Sequence, residues 1–215
     1  MYYKTIIFLI LITTNVYAAD IENNYLQPDI SIFSGFRIVT DYYSKVVELF
    51  SKAYGPSIKI RTVVLPSFES EYVIGIREKE NKYYVFKLSA KSSIWGEYQK
   101  TRDKKILDKS PQNEIEVQEA EAEISQQVYK ILDECWHKML QQIKYKRLDG
   151  LDGTTYHFST SDLLAGYAWS PNPNSQTGHL VKLTELLGQL AESKDQKAIE
   201  KQLMSAATTL IKTLK

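Results

Sequence analysis

The sequence predicts an α+β fold: a single domain in which a mainly antiparallel sheet packs against several amphipathic helices. Three observations carry that expectation. Strand-like segments run together between residues 58 and 88 instead of alternating strictly with helices, which favours antiparallel pairing over a crossover-built parallel sheet. Three long stretches, near 124–143, 180–190 and 199–214, carry apolar residues at three-and-four spacing. No internal repeat and no Pro- or Ser-rich linker divides the chain into two cores. With 43% hydrophobic and 12% aromatic residues, 15 of them tyrosine, the 215-residue chain has ample material for one packed core.

Residues 1–18 read as a secretory signal peptide. Lys4 supplies the positive start, Thr5 to Val16 a short apolar run, and Val16-Tyr17-Ala18 the small residues a signal peptidase reads. The run is well short of the roughly 20 residues that span a bilayer, so cleavage near Ala18 and a periplasmic or secreted mature chain are expected, with no stable membrane insertion. Residues 19–37 read as an irregular lead-in, and residues 38–215 as the domain. Loss of Lys4 with the leader brings the 27 Lys and Arg level with the 26 Asp and Glu, a balance that gives no footprint for nucleic acid. Cys135 is the only cysteine, so no intramolecular disulfide forms and stability rests on the core.

From Val39, the positions Val39, Tyr42, Tyr43, Val46, Phe50 and Tyr54 recur at helical spacing until Gly55-Pro56. Strands follow over Ile58 to Leu65, closed by Pro66, over Glu71 to Arg77, and through Tyr84, Phe86 and Leu88. The last two form a hairpin, whose polar turn Glu78 to Lys82 reads as longer than the two-residue kind. Lys- and Ser-rich residues 91–113 read as a long surface excursion with Trp95 as its main apolar feature. Ile115 and Val117 suggest a short strand. The strongest helix then repeats Ile124, Val128, Leu132, Cys135, Met139 and Ile143. Two glycines in Asp149 to Gly153 stop it, and aromatic strands are expected at Thr154 to Ser159 and Gly166 to Ser170. Two closing helices use Leu180, Leu183, Leu187 and Leu190, with Thr177 as N-cap, and Ile199, Leu203, Ala206 and Leu210, with Asp195 as cap. The last stripe resembles the others, which places that helix on the same core.

Signals for chemistry are sparse. No Gly-x-Ser-x-Gly elbow and no phosphate-cradling glycine loop occur, and Cys135 lies on an apolar stripe where a thiol packs and does not react. His137, His157 and His179 lack metal-ligand spacing, so no metal and no cofactor are expected. The acids Glu114, Glu116, Glu119, Glu121 and Glu123 read as a solvated strand face. The segment with most character is GLDGTTYHFSTSDLLAGYAWSP, residues 150–171. Alternation puts Tyr156 with Phe158 on one face of a hairpin strand, His157 on the opposite face, and Tyr167 with Trp169 together on the next strand.

GLDGTTYHF, AGYAWSP and the upstream VVLPSFESEYVIGIRE together resemble a group of exported proteobacterial proteins with no assigned activity. The resemblance covers roughly residues 58–190 and implies a periplasmic setting and a shared fold. The reading that follows is a non-enzymatic periplasmic binding protein, of the inhibitor or immunity kind, recognising an envelope protein or a cell-wall fragment. Trp169, Tyr167, His157 and Trp95 are its expected aromatic contacts, and Asp152 its charged one. The alternative is a periplasmic hydrolase with His157 as general base and Asp152 or a distant carboxylate as its orienter.

Overall fold

The computed structural model describes residues 25–29, 41–104, 115–145 and 152–214. The expected leader, Val39, Asp149, Gly150 and most of the 19–37 lead-in lie outside the described residues. Strand β2 (Ile58–Pro66) sets the architecture, because eight of its nine residues are buried and both of its faces therefore need cover. It pairs with β3 (Tyr72–Lys79), which continues into β4 (Lys82–Ala90) and β5 (Val117–Ile124) as a meander. On its other side, β2 pairs with β6 (Thr154–Thr160), followed by β7 (Ala165–Trp169) and the two-residue β1 (Gln27–Pro28). Every neighbouring pair is antiparallel, and the order is β1-β7-β6-β2-β3-β4-β5. The molecule is thus an α+β single domain.

Helices cover both faces. Against one lie α3 (Gln126–Leu140) and α4 (Gln176–Glu192), with α5 (Gln196–Thr213) packed across both of them. Their core unites Ile60, Ile74, Val85 and Phe158 of the sheet with Leu132, Trp136, Leu183, Leu187, Leu203 and Leu210. The opposite face carries α1 (Asp41–Leu49), the 3₁₀ turn Ser51–Ala53 and α2 (Ile94–Lys104). There Val46, Phe50 and Ile94 meet Val63, Val73, Phe86 and Leu88 in a second, smaller core. Successive residues in the central strands feed alternate cores, as the pleat requires: Val73 and Ile74 in β3, Val85 and Phe86 in β4.

Four expectations need correction. The β3–β4 turn is the two-residue kind, Glu80-Asn81, with both residues at positive φ, 51° and 63°. Residues 94–104, read as part of a surface excursion, form helix α2, while residues 105–113 lie outside the description. The lead-in is not wholly irregular, since Gln27 and Pro28 pair with Tyr167 and Gly166. The N-cap of α4 is Ser175, whose hydroxyl accepts from Gly178 N, while Thr177 is buried inside the helix. Asp195 caps α5 as expected, and the strand begun at Val117 runs on to Ile124.

Candidate functional site

Pairing of His157 with Tyr167 across β6 and β7 turns both side chains toward the α1 side of the sheet, and their rings stack at 5.9 Å. Tyr43 of α1 meets the same imidazole edge-on at 6.1 Å. From there a row of rings continues through Tyr42, 5.2 Å from Tyr43, to Trp95, 5.1 Å from Tyr42, and Tyr98, 5.7 Å from Trp95. Three of the residues singled out from the sequence, Trp95, His157 and Tyr167, therefore belong to one aromatic row, joined by two tyrosines that the sequence reading assigned only to a helix core. Trp95 is its exposed end, 37% accessible.

Two buried carboxylates hold this row. Glu71, fully buried immediately before β3, accepts from the Tyr42 hydroxyl at 2.9 Å and from the backbone N–H groups of Ile94 and Trp95 at 2.6 and 2.8 Å. It thereby caps α2 and fixes Trp95 against α1. Burial first, and the Glu71 charge second, drive the Tyr42 pKa far upward, so this phenol stays a donor. Asp29 plays the matching part at the other end. Its Oδ2 lies 2.7 Å from His157 Nδ1, and both side chains are shut away from solvent. The imidazole donates through Nδ1, which leaves Nε2 buried without a hydrogen-bond partner among the described residues.

Trp169 lies on the Tyr167 side of β7, half-buried, with its indole against Gly153. A Cβ at residue 153 would come within 2.9 Å of that ring, and the φ of 156° also favours glycine there. Ser67 closes this corner by donating from both N and Oγ to the Gly153 carbonyl, at 2.9 and 2.8 Å. Beside it Phe68, not singled out from sequence, stands 80% exposed. Asp152 is exposed at the same corner, and the carboxylate on His157 is Asp29, not Asp152. Of the two carboxylates expected beside His157, the distant one is present and Asp152 is not: five residues along an extended chain place Asp152 roughly 16 Å away.

The other polar candidates have structural partners. His137 donates from Nδ1 to the Asp133 carbonyl at 2.8 Å, and its Nε2 faces Asp162 at 3.2 Å. Cys135 is buried in the α3 core, and burial, with the Glu134 charge adding and Lys138 opposing, pushes its thiol up to about 12. The acidic row of β5 is less solvated than its alternation suggests. Glu119 and Glu121 flank Arg77 at 2.7 and 3.0 Å, Lys52 and Lys79 reach the same pair, and Lys82 reaches Glu123. The bond from Lys52 is the largest influence holding the Glu119 carboxyl low. Among the described residues no group of three His, Cys, Asp or Glu side chains is arranged to hold a metal ion. No described helix is long and apolar enough to cross a membrane.

No protein-family model, no curated protein and no solved structure matches this chain.

Proposed function

We propose that this chain is an exported, non-enzymatic binding protein that recognises an envelope protein or a cell-wall fragment, in the manner of an inhibitor or immunity factor. The observation that carries the reading is the aromatic row. Rings from α1, α2 and the β6–β7 hairpin meet on one sheet face, are anchored by Glu71 and Asp29, and end in exposed Trp95. Large amphipathic rings held in place by buried hydrogen bonds lose little entropy on binding, the property that makes interface anchors. Phe68 and Trp169 extend the surface at the adjoining corner. The leader, and the resemblance of residues 58–190 to exported proteins, support the address.

The hydrolase reading rests on one observation, the Asp29–His157 pair, which has the base-and-orienter geometry of acyl-transfer enzymes. Burial weighs against it, because at 3% exposure the imidazole has no path to a substrate.

The test is affinity capture with protein recovered from osmotic-shock fluid, whose intact mass reports whether residues 1–18 have been removed. Immobilised chain is challenged with envelope extract and with soluble peptidoglycan fragments. A stoichiometric bound species is expected, and Trp95→Ala should weaken its binding by about 2 kcal/mol while the cooperative thermal transition is retained. Equal binding by wild type and variant refutes the aromatic row as the contact surface. Turnover of cell-wall or ester substrates that disappears in His157→Ala would instead establish the hydrolase.

A further inference from the structure

Beside the first residues of β6, on the face that α3 and α4 cover, a cleft of about 520 Å³ opens between the β6–β7 hairpin and α4. Its floor is Val181 and the half-buried Tyr156, whose ring is held nearly parallel to Phe158 at 6.3 Å. One wall is the loop that leads into α4. Pro171 and Pro173 restrict it, and Ser175 donates from N and Oγ to the Asn172 carbonyl at 2.9 and 2.7 Å. Gly178 lies so close beneath the loop that a Cβ there would collide with the same carbonyl. This wall is thus fixed before any ligand arrives. The other wall is a stripe of α4, His179, Lys182 and Glu185, three residues apart and so on one side of the helix. Lys182 and Glu185 are exposed, and among the described residues neither takes part in an ion pair. The same spacing is closed elsewhere, by Lys45 on Glu48 at 3.2 Å and by Lys100 on Glu97 at 2.7 Å. Burial first, then the Glu185 charge, raises the Tyr156 pKa; a side-chain hydrogen bond with Thr154 opposes them, and Glu69 adds a further negative field. The cleft is accordingly polarised along α4, acidic where Glu185 bears on Tyr156 and basic at Lys182, with the His179 imidazole beyond it.

An uncommitted cation and an uncommitted anion on one cleft wall match a ligand that carries both charges, and no existing bridge must break to admit it. From His179 to Glu185 the helix rises about 9 Å at roughly 1.5 Å per residue, and an extended peptide covers about 7–11 Å in two or three residues. The space of about 520 Å³ equals about seventeen waters at roughly 30 Å³ each, and the prolines and Val181 give it apolar surface for small side chains. We infer that this cleft binds a short zwitterionic peptide of two or three small residues, its ammonium on Glu185 and Tyr156 and its carboxylate on Lys182 and His179. The inference goes beyond the aromatic row, which lies on the opposite sheet face and shares no residue with the cleft.

The experiment titrates the full chain with trialanine, N-acetyl-trialanine, trialanine amide and free alanine, followed by calorimetry and by the amide shifts of Thr154, Tyr156, His179 and Glu185. Trialanine should saturate with a dissociation constant of about 1 mM or tighter. Acetylation removes the ammonium and amidation the carboxylate, and each should weaken binding at least about fivefold, the loss of one partly screened ion pair. Lys182→Gln and Glu185→Gln alter exposed positions of α4 and keep the fold. Glu185→Gln should weaken trialanine at least about fivefold and leave the weaker binding of N-acetyl-trialanine unchanged; Lys182→Gln should weaken trialanine equally and leave that of the amide unchanged. Trp95→Ala should bind trialanine as the wild type does. No saturable shift with trialanine, equal binding of either blocked peptide, alanine binding as tightly, or variants that weaken free and blocked peptides alike overturns the inference. Failure in any of these ways leaves the aromatic-row reading standing, since that reading is tested by Trp95→Ala against envelope material.

Discussion

His137 shows how a single titratable residue couples two elements. Its spacing from the other histidines gave it no metal-ligand role; the structure sets it between the Asp133 carbonyl and the Asp162 carboxylate, joining α3 to the β6–β7 turn. Burial pulls its pKa down, but the hydrogen bond to the Asp133 carbonyl and the charges of Asp133 and Asp162 together outweigh that and leave it above the ordinary 6.5. The folded chain therefore holds this proton more tightly than the unfolded chain. The stabilisation is complete below the unfolded value and is lost as pH rises through the higher folded value. His137→Gln should remove it. With the side chain 27% exposed, solvent screening limits the effect to about 0.5–1 kcal/mol. Denaturant unfolding of wild type and variant near pH 5.5 and near pH 8 should show a stability gap that narrows with rising pH; a constant gap refutes the clamp.

At the scale of elements, the correct assignments and the errors have separate physical causes. The long helices were legible because each buries a stripe against the sheet or against its neighbours, and burial demands the three-and-four spacing. The strands of the meander were legible through alternation. Helix α2 was not, because its sequence IWGEYQKTRDK carries little amphipathic pattern and its capping carboxylate, Glu71, comes from 23 residues upstream. Asp29 was invisible for a similar reason, since its partner His157 lies 128 residues away. The β3–β4 turn misled because Glu80-Asn81 lacks the glycine that normally announces a tight hairpin. Both residues nonetheless adopt positive φ, a conformation that costs a glutamate more than an asparagine or glycine. Replacing the pair with Asn-Gly should therefore stabilise the protein by about 1 kcal/mol, read as a higher melting temperature with the unfolding m-value unchanged. A fall in melting temperature would mean that the Glu80 side chain makes a contact worth more than the strain.

For the whole molecule, the decisive feature is the unequal cover of the two sheet faces. One face has α3, α4 and α5 over a continuous core, whereas the other has the shorter α1 and α2 over a core half that size, with the buried groups Asp29, Arg61, Glu71 and His157 set into or beside it. Polar groups cost free energy to bury and are retained where they hold something in place. Here they hold the aromatic row, so the candidate site falls on the thinner face and the thicker one supplies the stability. The position of α5 follows that division. Leu203, Ala207 and Leu210 are buried against α3 and α4, which makes the helix a layer of the main core. Ending the chain before Gln196 would uncover those residues and their partners. At about 2–3 kcal/mol for each large side chain, the loss consumes much of the 5–15 kcal/mol that a domain possesses. The truncated chain should lose its cooperative thermal transition and gain dye-accessible apolar surface. A truncated protein that still melts cooperatively near the wild-type temperature would show α5 to be dispensable to the core.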